Sequence, residues 1–389
     1  VKHPHHHHLV WAEVDLNAIG HNVRELRRIT NPQARLLLAV KANGYGHGAL
    51  EVARKGLESG ADVLGVARLH EAIALREAGI DAPILIFGYT PPEQAEAVIK
   101  HDFWQSIYNL ETARAYSAAA IDFGAPIKVH LKVDSGMGRL GILPDAFRIP
   151  ISGTAPGNRV LDEIRAMNTL EGIELEGIFT HFASSDSADK GYAQQQFSHF
   201  ERFLNDLDKA GVKIKTRHAA NSGAIIDLPH THLDMIRAGI SLYGLYPSDE
   251  VDKSVIDLHP AMTLKARIIH LKQVPAGFKV SYGMTYETPS PTTIATIPIG
   301  YADGFSRLLS NRGQMLVHGQ RAPIIGRVCM DLTMLDVGHI PDVTLEDEVV
   351  VMGRQGENEI SADEIAAQLN TINYEVTSSL TARVPRIYF

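Results

Sequence analysis

The chain has 389 residues, enough at about 150 per domain for two or three units, although one barrel alone can use roughly 250. Its composition, 45% hydrophobic and 21% charged with 32 glycines and 19 prolines, is that of a globular protein and excludes disorder, collagen and coiled coil. The formal charge of −8, with neither sign gathered into a block, argues against a nucleic-acid partner, and the longest apolar runs fall far short of the ~20 residues that span a membrane.

In chain order, Val1 to His8, with His3 and the run His5 to His8, reads as a purification tag, so residues 1–10 are set aside as tag and leader. Trp11 to Asn17 mixes polar and apolar residues and carries no signal peptide, so a cytoplasmic protein is expected. From Arg35 onward, short apolar runs alternate with helical patterns, the signature of repeated βα units. The runs are Leu36 to Val40, Val63 to Val66, Ile84 to Phe87, Phe103 to Tyr108, Ile127 to Val133, Leu175 to Phe182, Ile214 to Ala219 and Met235 to Ile240. Segments such as Leu69 to Ala78 and Pro92 to Ile99 place apolar residues three and four apart and read as helices. This α/β pattern fits a (β/α)8 barrel over residues 11–244 better than the runner-up, an open doubly wound sheet.

After Tyr246 and Pro247 the pattern becomes strand-like, with Gly and Pro punctuation. Ala266 to Leu271, Thr293 to Ile299, Met315 to Val317, Met334 to Val337 and Val349 to Met352 read as strands and Ala362 to Leu369 as the one good helix, giving a mainly β domain over residues 245–389. The single cysteine, Cys329, has no partner for an intrachain disulfide and no zinc spacing around it. A reducing compartment is permitted, and no metal site is expected.

In a barrel, chemistry gathers where strands end and βα loops begin. Lys41 closes the first run and is followed by a stretch holding Gly44, Gly46 and Gly48. A solvated strand end with an ordinary turn fits these letters, and so does a lysine placed to form a Schiff base with an aldehyde cofactor. His181 ends the sixth run, Asn221-Ser222-Gly223 follows the seventh, and Arg237-Ala238-Gly239-Ile240 closes the eighth. Singly, Ser222 reads as a helix cap and His181 as a core histidine. Together they match the place where many barrels hold a phosphate, and a lysine plus an anion site suggests pyridoxal phosphate.

Ala39 to Gly48 (AVKANGYGHG) resembles the cofactor-lysine motif of the alanine racemases. Trp11 to Leu16, His130 to Gly141 (HLKVDSGMGRLG), Thr180 to Phe182, Val280 to Gly283, Ile299 to Gly304, Gly326 to Asp331 (GRVCMD) and Asn373 to Val376 resemble further family segments in the same order. The resemblance covers essentially the whole chain after the leader. It implies a barrel, a carboxy-terminal β domain and a homodimer with shared active sites, interconverting L- and D-alanine on pyridoxal 5'-phosphate to supply peptidoglycan.

Residue by residue, it makes Lys41 the cofactor lysine and one of two bases, with Tyr282 from the second subunit as the other; racemisation needs a proton carrier on each face of the α-carbon. Arg237 would face the pyridine nitrogen, where an arginine yields no proton and so limits the ring as an electron sink, and His181 would orient it. Tyr45, Ser222, Tyr374 and the backbone at Gly239 and Ile240 would hold the phosphate, with Asn221 beside Ser222. Arg139 would reach the cofactor and, with Met330, the substrate carboxylate; Asp331 would shape that site. Lys132 matches a lysine that some members carry as a carbamate. Asp186, Tyr286, Tyr301 and Arg307 resemble residues lining a narrow entrance.

Three other readings compete. A serine or broader-specificity racemase would use the same scaffold. A decarboxylase of basic amino acids would place a carboxylate where Arg237 stands. A small cofactor-binding barrel without enzymatic activity would lack the segment after residue 245.

Overall fold

The computed structural model describes residues 8–147 and 159–389, so residues 1–7 of the tag reading lie outside the described residues. Its first strand is β1 (Val10–Val14); eight more follow as β2 (Arg35–Ala39), β3 (Val63–Val66), β4 (Ile84–Ile86), β5 (Trp104–Ile107), β6 (Ile127–Lys132), β7 (Ile173–Phe179), β8 (Thr216–His218) and β9 (Met235–Ala238). Strands β2 to β9 pair in parallel in the order β8-β7-β6-β5-β4-β3-β2-β9. The two edges meet where Asp234 N–H bonds to the Arg217 carbonyl and Arg237 N–H to the Ala220 carbonyl, each at 3.0 Å. The sheet is therefore a nearly closed barrel, as the strand count predicts, and not an open sheet.

Strands of a parallel barrel are buried on both faces, which is why they appear in sequence as continuous apolar runs. Leu37, Val63, Leu85, Trp104 and Met235 form one core cluster, with Phe87 packed against it. Against this background the buried ionisable residues on the barrel strands stand out: His130, Lys132, His218 and Arg237. Such groups persist in an interior only when bonded or paired. The segment Pro92 to Ile99 forms a short 3₁₀ turn, Pro92–Gln94, and then a helix, Ala95–Lys100.

Contacts divide the described chain into a barrel unit, Ala18–Gly44 with Ala49–His259, and a β unit that takes the residues up to Asn17, Tyr45–Gly48 and Pro260–Phe389. Residues just after 245 stay with the barrel unit because Asn22, on the helix Leu16–Ile29, donates to the carbonyls of Leu242 and His259 and accepts from the His259 N–H. β1, within the range that the sequence assigns to the barrel, pairs instead with β10 (Met262–Arg267), antiparallel, and β20 (Arg386–Tyr388), parallel.

The remaining strands are β11 (His270–Val274), β12 (Lys279–Val280), β13 (Tyr286–Glu287), β14 (Thr292–Ile297), β15 (Gln314–Val317), β16 (Gln320–Pro323), β17 (Thr333–Asp336), β18 (Glu348–Gln355) and β19 (Asn358–Ile360). They form a seven-stranded sheet, β16-β15-β18-β10-β1-β20 with β19 on β18, a three-stranded sheet, β11-β14-β17, and the pair β12-β13. The single strand expected over Ala266 to Leu271 is two: β10 ends at Arg267, and His270 starts β11 in the other sheet. The helix Ala362–Leu369 is where the sequence places it, capped by Ser361, whose Oγ accepts the Glu364 N–H at 3.0 Å. A second short helix, Asn373–Ser378, follows. Among the described residues no helix is long and apolar enough to cross a membrane.

Candidate active site

Lys41 follows the end of β2, and the chain beyond it takes an unusual path. Ala42, Asn43, Gly44 and Tyr45 all have positive φ, at 52°, 53°, 61° and 50°. Left-handed backbone costs an L-residue roughly 1–2 kcal/mol, so the surroundings must hold the turn. The Glu71 carboxylate does so: Oε1 accepts the Ala42 N–H at 2.7 Å, while Oε2 accepts those of Ala67 at 2.8 Å and Arg68 at 3.0 Å. Asn43 Oδ1 accepts the Ala49 N–H at 3.1 Å. Burial holds the Lys41 amine below its usual range; Arg139 adds to the shift and Glu71 opposes it. A depressed lysine offers more free amine at neutral pH, as a nucleophile or base must.

Arg237, on β9, is 5% exposed. Its Nη2 donates to the carbonyls of Thr180 at 2.7 Å and Ala219 at 2.8 Å and lies 3.3 Å from His181 Nδ1, while Nη1 donates to His218 Nδ1 at 3.0 Å. The Phe179 ring lies 5.4 Å from the guanidinium carbon. Burial, then Arg139, lowers the Arg237 pKa to about 9. Burial and the same two arginines also push His181 well below its ordinary value, so that histidine is neutral and able to accept. Lys132, on β6, is buried 5.5 Å from the Phe179 ring centre; burial, Arg139 and Arg237 bring its amine down to about 8. The barrel end thus concentrates cationic groups: Lys41, Lys132, Arg139 and Arg237.

After β8 and β9 the two loops meet at one hydroxyl. Ser222 Oγ accepts the Gly239 N–H at 2.9 Å and the Ser241 hydroxyl at 2.9 Å, next to Ile240. Asn221 Oδ1 caps the following turn through the Ala224 N–H at 3.1 Å and accepts the Ser185 hydroxyl at 2.6 Å. Arg139 leaves β6 on a loop clamped by Asp134, whose carboxylate accepts the N–H groups of Gly136, Gly138 and Arg139 at 3.0, 3.1 and 3.2 Å. Asp186 accepts the Ser248 hydroxyl on its carbonyl. Glu71, Asp134, His130 and His218 were not singled out from sequence. Glu71 supplies only the glutamate half of a capping box, since Arg68 at the cap cannot accept a hydrogen bond, and His130 stands two residues before Lys132, on the same face of β6.

In the β unit, Tyr45 and Tyr374 come together with ring centroids 6.1 Å apart. Gly46, with φ +88°, has room for no side chain: a Cβ there would lie 2.0 Å from the Thr377 carbonyl oxygen on the helix that carries Tyr374. Tyr282 is 71% exposed and flanked by Ser281 at φ 64° and Gly283 at φ 72°. The Ser281 hydroxyl donates to the Arg327 carbonyl at 2.7 Å, tying the turn to the segment that leads to Met330. Met330 is exposed, and its carbonyl accepts the Ala302 N–H beside Tyr301, also exposed. Asp331 is paired with Arg383 at 2.7 Å. Tyr286, on β13, is partly buried, and Arg307 is exposed.

A lysine on a held turn, a buried arginine with neutral histidine partners and a hydroxyl–amide pair, all at the carboxyl ends of barrel strands, make a cationic, hydrogen-bonding set at the end of the barrel where ligands are usually bound. Comparison with known proteins gives the family. The model for the alanine racemase N-terminal domain matches residues 14–247, and that for the C-terminal domain matches residues 261–388. The chain is 54% identical to the alanine racemase of Desulfosudis oleivorans over 97% of its own length and 96% of that protein. Among solved structures it resembles the alanine racemase of Clostridium difficile 630 with a TM-score of 0.92 and 42% identity, covering 99% of this chain and 96% of that one. It resembles the alanine racemase of Bacillus anthracis with bound L-Ala-P with a TM-score of 0.89 and 37% identity, covering 98% and 95%. The barrel, the β domain and these matches along nearly the whole chain together show that it belongs to the alanine racemase family and is an amino-acid racemase.

Proposed function

We propose that the chain interconverts L- and D-alanine with pyridoxal 5'-phosphate as cofactor, in the cytoplasm, supplying D-alanine for peptidoglycan. The observation that carries this reading is Arg237: 5% exposed, held through Nη1 and Nη2, and with an Nε–H that no described residue accepts and that is not shut away in the core. A donor held and left open in this way suits the pyridine nitrogen of the cofactor, while Ser222, Gly239, Ile240, Tyr45 and Tyr374 suit its phosphate and Lys41 its aldehyde. Asn221 keeps Ser222 in place. When bound, pyridoxal phosphate supplies an electron-withdrawing ring that makes the substrate's α-proton acidic.

The remaining work belongs to the chain. The Lys41 amine, whose proton affinity burial lowers, takes or returns the proton on the D face. Tyr282 of a second copy serves the L face; its exposure together with that of Met284, Leu308, Met330 and Leu332 supports a homodimer that covers these apolar side chains and shares its sites. Arg139 binds the substrate carboxylate through its guanidinium and Met330 through its N–H, with Asp331 held by Arg383 alongside. Asp186, Tyr286, Tyr301 and Arg307 narrow the entrance and restrict the substrate to small side chains. Lys132 carries a carbamate: a neutral amine must attack carbon dioxide, and Arg139 and Arg237 would stabilise the resulting anion.

The test is direct. The purified protein should hold one pyridoxal phosphate per chain, and borohydride followed by peptide mapping should place the cofactor on Lys41. A coupled assay should show both alanine enantiomers turned over well ahead of serine. An adduct on another lysine, or serine as the better substrate, contradicts the reading.

A further inference from the structure

His130 occupies a place on β6 that the fold is shaped to provide. Pairing between β6 and β7 slips at this point: Val129 pairs with Leu175, but His130 pairs with Gly177. Such bulges re-aim side chains near sites of function. Gly177 is required by the ring itself, since a Cβ there would lie 2.4 Å from His130 Cε1 and Nδ1. Trp104 stacks on the imidazole at 4.8 Å with planes 24° apart, and the side chain has no solvent exposure.

The hydrogen bonds around it have one consistent direction. A guanidinium only donates, so His218 Nδ1, 3.0 Å from Arg237 Nη1, carries a lone pair. The proton of neutral His218 is then on Nε2, which lies 3.0 Å from His130 Nδ1. His130 must accept there, and its own proton is left on Nε2, a buried atom with no partner among the described residues. Burial lowers the His130 pKa to about 3 and drives His218 well below its ordinary value, so both rings are neutral. An interior rarely keeps an unpaired N–H, and a leucine would avoid it.

We infer that His130 is a positioning residue for racemisation: by accepting from His218 Nε2–H it locks His218 in the tautomer whose Nδ1 holds Arg237 in place. This rests on the reading that Arg237 faces the pyridine nitrogen. Without the acceptor at His130, the His218 proton is free to move to Nδ1. Two donors would then confront each other, and Arg237 would lose the partner that fixes Nη1.

The experiment uses the loaded enzyme labelled with ¹⁵N-histidine and three variants. In the parent protein, long-range ¹H–¹⁵N spectra should show His218 and His130 neutral, both protonated on Nε2. A proton on His218 Nδ1 overturns the inference before any substitution is made. His130→Leu should shift the His218 signals toward the Nδ1–H form and lower kcat about tenfold, with KM for alanine within about twofold. His130→Asn, whose Oδ1 can accept where Nδ1 did, should restore the His218 signals and most of kcat. If His130→Leu does not fold, the parent spectrum and the Asn variant still decide. Unchanged kcat and an unchanged His218 tautomer in folded His130→Leu would overturn the inference. Arg237→Gln separates the two claims: if it too leaves kcat and cofactor absorbance unchanged, the reading of Arg237 fails; if it is impaired while His130→Leu is not, only the role of His130 fails.

Discussion

The residues proposed for the site are held in opposite ways in the barrel unit and in the β unit. In the barrel, Arg237 and Lys132 are nearly inaccessible, Lys41 precedes a turn clamped by Glu71, and each hydrogen bond leads to another. In the β unit, Tyr282, Met330 and Tyr301 stand in solvent, 71%, 53% and 43% exposed. The first arrangement gives charged groups fixed positions and shifted proton affinities within one chain. The second is that of an interface, where exposed apolar and aromatic side chains await a partner surface. In this account one chain supplies a finished half of a site and presents the other half outward.

Substitutions can break either half. The largest effect belongs to the buried one: Lys41→Ala should lower racemisation by about a thousandfold or more and leave no borohydride-stable cofactor on the protein. Activity above about a hundredth of the parent level would remove Lys41 from its role. Tyr282→Phe should lower racemisation by roughly a hundredfold or more while D-alanine still exchanges its α-proton in deuterium oxide, because the group serving that face is untouched. Loss of exchange from D-alanine in step with racemisation would show that Lys41 and Tyr282 do not act on separate faces.

Stability sharpens the same contrast. Gly46→Ala forces a Cβ against the Thr377 carbonyl at a positive φ and should destabilise by about 3 kcal/mol, read as a lower denaturant midpoint. An unchanged midpoint would mean that the turn does not depend on this close approach. Lys132 gives the smallest effect. Its amine has a pKa of about 8 in the folded chain, against about 10.4 unfolded. Below pH 8 both states hold the proton and the burial penalty is present in full; between these values the folded state alone releases it, so the penalty fades as pH rises. In buffers free of carbon dioxide, Lys132→Met should therefore stabilise by about 1–3 kcal/mol at pH 7 and by less near pH 10. Equal gains at both pH values would contradict a penalty from the buried charge.

How much of this was legible in the sequence follows from what each signal reports. The barrel strands were readable because strands buried on both faces must be apolar runs. The partner of β1 was not, since Val10–Val14 reads the same whether it joins a barrel or pairs with β10. The glycines after Lys41 announced a turn, yet Ala42 and Tyr45 at positive φ could not be foreseen from residue types that seldom adopt it. Lys41, Ser222 and Arg237 drew notice because polar residues at barrel strand ends are unusual. His130 lies inside β6 and, although His218 ends β8, their partnership depends on a register slip beside Gly177 that no periodicity reveals.

The central claim, that a working site takes its buried half from one chain and Tyr282 from another, has one direct test. Lys41→Ala and Tyr282→Phe chains, each nearly inactive, are co-expressed in equal amounts with two different affinity tags, and mixed dimers are isolated. With random pairing about half the dimers are mixed, and each mixed dimer holds one site with both defects and one with neither. The mixture should therefore recover roughly a quarter of the parent racemase activity, and the purified mixed dimers about half. Mixed dimers that form and remain inactive would show that both groups act from the same chain.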